Sequence, residues 1–259
     1  MNTVYGGMDD DRITVGNGSN LLYGNEGADT IQAGNGNNTI VGGQDSTDGS
    51  DLITSGTGND LIFGNGGDDT VGAGGGADTV VGGFGRDVLL GNRGNDILLG
   101  NQGDDTLYGG QGGDTVVGGQ GNDVLYGNEG DDVLYGNEGL NTFVFNPGDT
   151  DLKSGTSTGD TVMDFVTGSN RIDFASGPAG TASNFGTAST TAQDFASAQA
   201  VAQGLINSGD AYAFVSNGTD GYLFATSGQG TTITDAVKLA GAGAANAVKD
   251  TDIAHGALA

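Results

Sequence analysis

Apolar residues recur at every ninth position over a long stretch of this chain, between runs of glycine, asparagine and aspartate. Written by columns, the nine-residue unit is G-[GN]-x-G-x-D-x-U-x, where U is apolar. Four units run from Gly6 to Val41, one enlarged unit spans Gly42 to Thr54, and ten more run from Ser55 to Val144. The eighth column is apolar in all fifteen units: Ile13, Leu22, Ile31, Ile40, Ile53, Ile62, Val71, Val80, Leu89, Leu98, Leu107, Val116, Leu125, Leu134 and Phe143.

Each column of the unit predicts a local conformation. Six residues rich in Gly, Asn and Asp are typical of a turn, and three β-prone residues are typical of a very short strand. The second column holds only Gly or Asn, so we expect a left-handed backbone there. Two units make one 18-residue coil, in which successive strands join opposite sheets and coils stack about 4.8 Å apart. Because one unit buries almost nothing alone, its stability must come from neighbouring coils.

The nine-residue pattern stops at Asn146, and the rest of the chain predicts a different structure. We therefore divide the chain into a repeat domain at residues 1–144 and a C-terminal capping region at residues 145–259. The expected fold class is all-β, with parallel coils followed by a mixed β cap that contains one helix. Within the cap we expect irregular closing coils at 159–165 and 170–174, a loop at 175–190, a helix at 192–209, a hairpin at 210–226 and a strand at 231–241.

The charge of the chain points to a cation. The formal net charge is −26, from 33 acidic and 7 basic side chains. Stacked carboxylates repel one another unless cations bind between them, and carboxylate and carbonyl oxygens suit Ca²⁺ rather than Zn²⁺. The alternative, a disordered acidic segment, does not require apolar residues at fixed positions. We expect disorder only when Ca²⁺ is absent.

Other kinds of chemistry have little support in the sequence. The chain has no cysteine, which excludes disulfides and thiolate metal sites, and its negative charge argues against nucleic acid. Its single histidine is His255, and no HExxH zinc motif is present. No run of apolar residues approaches the length of a membrane span. We therefore expect a protein that is not an enzyme and that has neither a catalytic site nor a membrane span.

The repeat pattern closely resembles the RTX family of secreted bacterial proteins, over residues 6–144. The resemblance implies a parallel β-roll, with Ca²⁺ ions between turns that lie two units apart on the same edge. The aspartates of the sixth column and the turn carbonyls would be the ligands. The metal-ligand candidates carried over from the family are Asp11, Asp29, Asp51, Asp60, Asp69, Asp78, Asp87, Asp96, Asp105, Asp114, Asp123 and Asp132.

The resemblance assigns these aspartates to two edges. One edge runs from Asp11 to Asn141 and the other from Asn20 to Asp132. Eight adjacent pairs from Asp51 onward keep both carboxylates and are the strongest predicted sites. Asn20 and Asn38 lack charge, so we expect weak or no binding there, and four inserted residues make the Asp29/Asp51 pair a weak prediction. Outside the repeats, Asp160, Asp164 and Asp173 are interpreted as surface turn carboxylates in preference to ligands.

The ninth column becomes apolar late in the array, as in Leu90, Tyr108, Tyr126 and Tyr135. One interpretation is simple β-propensity on short strands. The other is an apolar face that serves lateral assembly or docking. The sequence leaves both open.

The N-terminal residues MNTVY lack an apolar signal region, so we expect no Sec-type signal peptide. The family resemblance implies type I secretion, directed by roughly the last fifty residues, and hence an extracellular or cell-surface location. The expected partners are calcium ions, the secretion machinery and further copies of the chain. The favoured hypothesis is a calcium-dependent structural protein of a matrix, surface layer or filament. Alternatives are the C-terminal folding and secretion module of a larger toxin or hydrolase, and a ligand-binding adhesin or ice-binding roll.

Overall fold

The computed structural model of the chain describes residues 1–146, 149, 159–166, 168–174, 185–189, 195–207, 212–217, 219–226, 233–241, 248–249 and 252–254. The chain divides into two units. The first comprises Met1–Tyr126 and Asn137–Gly139, and the second comprises Gly127–Gly136 and Leu140–Ala259. The division falls within two strands of the repeat array, β14 (Val124–Glu129) and β15 (Val133–Glu138). The predicted boundary at residues 144 and 145 stays a prediction.

The first unit is a roll of two parallel sheets. The odd sheet contains β1 (Thr3–Gly7), β3 (Leu21–Asn25), β5 (Thr39–Gly43), β7 (Leu61–Gly66), β9 (Thr79–Phe84), β11 (Ile97–Gln102) and β13 (Thr115–Gln120). The even sheet contains β2 (Arg12–Thr14), β4 (Thr30–Gln32), β6 (Leu52–Thr54), β8 (Thr70–Gly75), β10 (Val88–Arg93) and β12 (Thr106–Gln111). Each strand pairs with the strand two nine-residue repeats away, as Leu98 pairs with Val80 and Val116. This confirms the predicted parallel β-roll, although most strands extend beyond three residues into the following turn.

The core of the roll is a single file of apolar side chains from the eighth column. From Leu22 to Leu125 every one of these side chains is fully buried, and Ile13 is 6% exposed. Because the side chains of a strand alternate between its faces, the seventh and ninth columns point outward. Each inward side chain contributes about 1.5–3 kcal/mol of burial free energy, so the thin core needs another source of stability.

The second column adopts the expected left-handed backbone in eleven of its fifteen units. Asn25, Asn65, Asn92, Asn101, Asn128 and Asn137 have φ between 59° and 81°. Asparagine tolerates this region better than other residues with a side chain, because its short polar group bonds locally. The prediction from the composition of this column is therefore confirmed in eleven units, whereas it is wrong for Gly16, Gly34, Gly43 and Gly56, whose φ values are not positive.

Residues Gln44–Asp48 form a structured insertion loop that follows β5. The Asp45 carboxylate accepts hydrogen bonds from the backbone N–H and the hydroxyl of Thr47, at 2.8 and 2.7 Å. These bonds hold the pKa of Asp45 below its usual value. The Asp48 carboxylate accepts the N–H groups of Gly27 and Gln44, both at 2.9 Å. The loop therefore has a defined shape, and the strands on either side of it stay in register.

The second unit contains parallel strand pairs and an antiparallel meander. Its strands after β15 are β16 (Thr142–Phe145), β17 (Asp160–Val162), β18 (Arg171–Phe174), β19 (Phe185–Ser189), β20 (Tyr212–Ser216), β21 (Gly221–Thr226), β22 (Ile233–Leu239) and β23 (Ile253–Ala254). Strand β17 pairs parallel with β15, and β18 pairs parallel with β16, which confirms the closing coils. Strands β20, β21 and β22 form an antiparallel meander, which confirms the predicted hairpin.

The cap is held together by one helix, α1 (Phe195–Asn207), which lies within the predicted 192–209 segment. Ala198, Ala202 and Ile206 pack in one apolar cluster with Ala213 and Phe224 of the sheet. The predicted loop at 175–190 is wrong at its end. Residues 185–189 form β19, which pairs parallel with β20 and so belongs to the sheet.

Much of the proposed secretion segment, including residues 242–247 and 255–259, lies outside the described residues. No helix in the described part of the chain has the length and apolar character that a membrane crossing requires.

Candidate metal centre

Sixth-column aspartates form a hydrogen-bonded ladder along the first edge of the roll. The N–H of each aspartate donates to the Oδ1 atom of the aspartate one coil later, as from Asp51 to Asp69 and from Asp69 to Asp87, at 2.8 Å in both cases. The ladder runs from Asp11 to Asp123 with distances of 2.8–2.9 Å. It passes across the insertion loop at the Asp29/Asp51 step, where the distance is also 2.8 Å. The insertion thus leaves the ladder geometry intact at the pair expected to be weak.

A second ladder runs along the opposite edge. It links Asn20, Asn38, Asp60, Asp78, Asp96 and Asp114 through the same type of bond, with distances of 2.6–3.1 Å. In the second unit, the N–H of Asp132 donates to Asp160 Oδ1 at 3.0 Å. The structure therefore aligns the predicted ligands in the order that the repeat implies.

Each ladder aspartate uses one carboxylate oxygen for the ladder and turns the other inward. From Asp29 to Asp132, the predicted ligands are at most 3% exposed, and Asp11 is half-buried. The Oδ2 atom is buried and accepts no hydrogen bond in Asp11, Asp29, Asp51, Asp69, Asp78, Asp87, Asp96 and Asp105. A buried carboxylate oxygen that has no donor is costly unless a cation compensates it.

The first-column glycine of most units leaves room beside this oxygen. A Cβ atom placed on Gly6 would lie 2.6 Å from Asp11 Oδ2 and 2.7 Å from the Gly24 carbonyl oxygen. A Cβ atom on Gly100 would contact Asp105 Oδ2 and lie 2.6 Å from the Gly118 carbonyl oxygen. Carboxylate and carbonyl oxygens thus converge on a space that a methyl group would fill. Oxygen donors of this kind are the ligands that Ca²⁺ takes.

The two asparagines of the second ladder show what the turn requires. The Nδ2 group of Asn20 donates to the carbonyl oxygens of Gly16 and Gly18, at 3.2 and 2.6 Å. Asn38 Nδ2 donates to the equivalent oxygens of Gly34 and Gly36, at 3.0 and 2.6 Å. In both asparagine and aspartate, the Oδ1 atom accepts the ladder hydrogen bond. The Oδ2 atom of an aspartate therefore takes the place of the asparagine amide group. It would face the same carbonyl oxygens but has no proton to donate to them, and a bound cation would compensate the carboxylate and the carbonyl oxygens alike.

The first column of the nine-residue repeat varies together with the sixth column, a signal that our prediction did not include. It is Gly in most units but Val15, Ala33, Ser55 and Ala73 in the units of Asn20, Asn38, Asp60 and Asp78. In the third of these units, the Ser55 hydroxyl donates to Asp60 Oδ2 at 2.5 Å. In three of these four units, a side chain therefore fills the space beside the ladder where an amide or hydroxyl satisfies the turn. The exception is the unit of Asp78, where Ala73 occupies the first column although Asp78 Oδ2 accepts no hydrogen bond. The sequence could have revealed this by comparing the first column with the sixth.

Burial raises the pKa of the ladder carboxyls, to about 8 for Asp69, to about 7 for Asp51, Asp78, Asp105 and Asp123, and to about 6 for Asp87 and Asp114. Desolvation is the largest cause in each case. The N–H donated by the preceding aspartate opposes it, and neighbouring carboxylates such as Asp51 and Asp87 raise the pKa of Asp69 further. Without a cation, the folded roll therefore holds Asp69 mostly protonated at neutral pH and the carboxyls with a pKa of about 7 near half-protonated, whereas Asp87 and Asp114 stay mostly ionised.

Asp160 is a ladder residue that lies outside the repeats. It is fully buried, its Oδ1 atom accepts the N–H of Asp132, and its Oδ2 atom has no hydrogen-bond partner. Burial and then the Asp132 carboxylate raise its pKa well above the usual value. The interpretation as a surface turn carboxylate is wrong for Asp160, and also for Asp173, which is 4% exposed. The third candidate, Asp164, is half-buried and accepts the N–H of Gly136 at 2.9 Å.

Comparison with known proteins agrees with this geometry. The family model of the RTX calcium-binding nonapeptide repeat matches residues 2–22, 14–46, 45–80, 72–107, 81–116 and 108–143. Together these segments cover residues 2–143, which is 142 of 259 residues. No curated protein matches the chain.

Two solved structures are similar to the chain, both from the mannuronan C5-epimerase of Azotobacter vinelandii. The AlgE6R3 subunit has 23% identity and a TM-score of 0.40, over 69% of this chain and 78% of the subunit. The AlgE6R2 subunit has 24% identity and a TM-score of 0.28, over 69% of this chain and 93% of the subunit.

Proposed function

We propose that this chain, which belongs to the RTX calcium-binding nonapeptide repeat family, is a secreted structural protein that folds on binding calcium and then assembles with further copies of itself. The observation that carries the proposal is the ladder of aspartates in which the buried Oδ2 atoms of one group accept no hydrogen bond, namely Asp29, Asp51, Asp69, Asp78, Asp87, Asp96 and Asp105. The role is not catalytic. The chain's own residues supply a scaffold whose stability depends on the ion.

The mechanism follows from the ladder. Without cations, the carboxylates of neighbouring coils repel one another and resist burial, and the single file of core side chains does not offset the entropy of ordering the chain. Calcium would supply positive charge between carboxylate and carbonyl oxygens of successive turns. A site at a hundredfold excess of ligand over its Kd contributes about 2.7 kcal/mol, so a few sites suffice to stabilise a thin roll. Folding then proceeds from coil to coil.

Calcium dependence suits secretion in an unfolded state. The cytosol holds little free Ca²⁺, so a chain with a net charge of −26 stays extended there. Outside the cell the turns load and the roll forms. The segment proposed to direct type I secretion is roughly the last fifty residues, by resemblance to the family.

Assembly is proposed through the outward face of the even sheet. Leu90 pairs with Tyr108 across β10 and β12, and the rings of Tyr108 and Tyr126 stack with centroids 4.5 Å apart. These three side chains are half-buried and lie side by side. A row of large apolar side chains on a regular sheet is a surface that a second copy can cover.

A calcium titration that records circular dichroism and light scattering together tests this proposal. We expect a change from coil to β structure, followed by a rise in scattering. In the double variant Tyr108→Ser/Tyr126→Ser we expect the same circular dichroism change as in the wild type but little rise in light scattering. The control Tyr23→Ser, which removes an aromatic ring from the odd sheet, should give the same rise in scattering as the wild type. A β transition at constant monomer mass would reject assembly and favour the alternative of a folding module within a larger exoprotein.

A further inference from the structure

The odd sheet carries a groove of about 820 Å³ whose lining contains none of the ladder aspartates. Its lining includes Val81 and Val117, the side chains Phe84, Gln102 and Gln120, and residues Gln44–Ser46 of the insertion loop. All residues that line it belong to the first unit and to the described part of the chain. It is therefore a feature of the roll itself.

The shape of the groove comes from an alternation in the second column. Along the odd sheet, Asn65 pairs with Gly83, Gly83 with Asn101, and Asn101 with Gly119. Each glycine leaves a gap between two asparagine side chains, because it has no side chain of its own. The result is a row of amides with a notch at every second strand.

The insertion loop borders this row of side chains at one end. A Cβ atom on Gly66 would collide with the Asp45 carbonyl group, so the absence of a side chain at that position lets the loop lie across the sheet. In the following strands the same position holds Phe84, Gln102 and Gln120. The loop is also fixed by the Asp48 bonds to Gly27 and Gln44. The loop therefore borders the groove at this end, and Gly66 allows its close approach to the sheet.

The chemistry of the lining fits a neutral, hydroxyl-rich ligand. Side-chain amides such as those of Asn101, Gln102 and Gln120 both donate and accept hydrogen bonds, as sugar hydroxyls do. Phe84 is 45% exposed and offers an apolar ring against which the C–H face of a sugar can pack. The lining contains no lysine or arginine, and its charged members are Asp45 and Glu138. An anionic chain would be repelled.

The even sheet has the same alternation, since Asn92 pairs with Gly74 and Gly110, but the residues around it differ. There the position of Phe84 is taken by Arg93, which pairs with Gly75 and Gln111. The insertion loop lies on the odd sheet alone, since it follows β5. We propose that the groove of the odd sheet binds a neutral oligosaccharide chain, with Phe84 as the stacking residue and Gln102 and Gln120 as the hydrogen-bonding residues.

Isothermal titration calorimetry on the full chain in saturating Ca²⁺ tests the proposal. The probes are cellohexaose, maltohexaose and xylohexaose, with a hyaluronan hexasaccharide as the anionic comparison. We expect at least one neutral hexasaccharide to bind. Phe84→Ala and the double variant Gln102→Ala/Gln120→Ala should each weaken that binding at least tenfold. Gln111→Ala, the matched change on the even sheet, should leave it unchanged, and circular dichroism should show the same fold in all variants.

Three results would overturn the proposal. The first is that none of the neutral probes binds at millimolar concentration to a chain whose circular dichroism shows a formed roll. The second is equal binding by the wild-type chain and the Phe84 and glutamine variants. The third is tighter binding of hyaluronan than of any neutral probe. Because each test begins from a calcium-folded chain, these failures are distinct from a failure of calcium-driven folding.

Discussion

The most informative perturbation introduces the glycine and aspartate of a predicted calcium site into the asparagine part of the second ladder. Asn38 Nδ2 satisfies the carbonyl oxygens of Gly34 and Gly36, at 3.0 and 2.6 Å, and the side chain of Ala33 occupies the first column of its unit. The double variant Ala33→Gly/Asn38→Asp removes the amide donor and clears the space beside it. It thereby reproduces the Gly and Asp of a unit such as Gly82–Leu90.

The expected effect changes sign with calcium. At low Ca²⁺, loss of the donated bonds leaves buried carbonyls unsatisfied and adds a charge beside Asp60, which costs about 1–3 kcal/mol for each unsatisfied group. At saturating Ca²⁺, one more bound ion adds about 1.4 kcal/mol of unfolding free energy for each tenfold rise in ligand concentration. The stability curves of variant and wild type, plotted against the logarithm of Ca²⁺ concentration, should therefore cross.

Urea unfolding followed by circular dichroism at a series of Ca²⁺ concentrations measures this slope, and calorimetry counts the ions. The matched control is Asn59→Asp, which adds the same charge to a turn of the same edge. There Oδ1 accepts the N–H of Ala77 at 3.0 Å, a bond that an aspartate retains. We expect no additional ion in the control. A double variant with unchanged stoichiometry and parallel stability curves would refute the interpretation that the amide takes the place of the ion.

Three further predictions follow from the same ladder. Asp87→Ala removes a ligand from two neighbouring sites, so calorimetry should count fewer ions, whereas the exposed Glu26→Ala should bind as the wild type does. Gly82→Ala places a methyl group against Asp87 Oδ2 and 3.0 Å from the Gly100 carbonyl oxygen, so Ca²⁺ affinity should fall at least tenfold. The control Gly72→Ala, whose added methyl group would lie 3.9 Å from its nearest neighbour, should leave the affinity unchanged. The raised aspartate pKa values mean that the metal-free roll binds more protons than the unfolded chain, so circular dichroism in EGTA should show more β structure as pH falls from about 8 towards 4.

Each of these has an outcome that would contradict it. Full stoichiometry in Asp87→Ala would remove this residue from the ligand set. Equal affinity in the two glycine variants would mean that the first-column space is not part of the site. Less β structure at acid pH without calcium would show that the ladder aspartates do not gain protons on folding.

The repeat itself was predictable because its physics is local and periodic. The apolar eighth column fixes which side chain faces inward, as Leu98 does, and Asn in the second column indicates the left-handed turn, as at Asn101. The regular 18-residue spacing then places Asp69 above Asp51 and Asp87 above Asp69. Both the roll and the order of the ladder follow from these columns.

Features that break the period could not be predicted in the same way. Asp160 joins the ladder 28 residues after Asp132, a spacing that the repeat does not suggest. Strand β19 lies in a segment whose Ser, Thr, Gly and Ala composition favours loop, and it is a strand because it pairs with β20. The insertion loop can lie against the sheet because Gly66 has no side chain. This contact between Gly66 and the loop cannot be read from the sequence, because it arises only when the coils stack.

The most direct test of the central claim is a calcium titration of the full chain followed by far-UV circular dichroism and amide hydrogen exchange, with Mg²⁺ in a parallel series. Our account predicts a coil in EGTA and a cooperative change to β structure with Ca²⁺ but not with Mg²⁺, because the larger ion accepts irregular sets of oxygen ligands. Strong protection should appear at the same Ca²⁺ concentration for the ladder amides of Asp51, Asp69 and Asp87. A roll already formed and protected in EGTA at neutral pH, or a chain that stays unfolded in millimolar Ca²⁺, would contradict it.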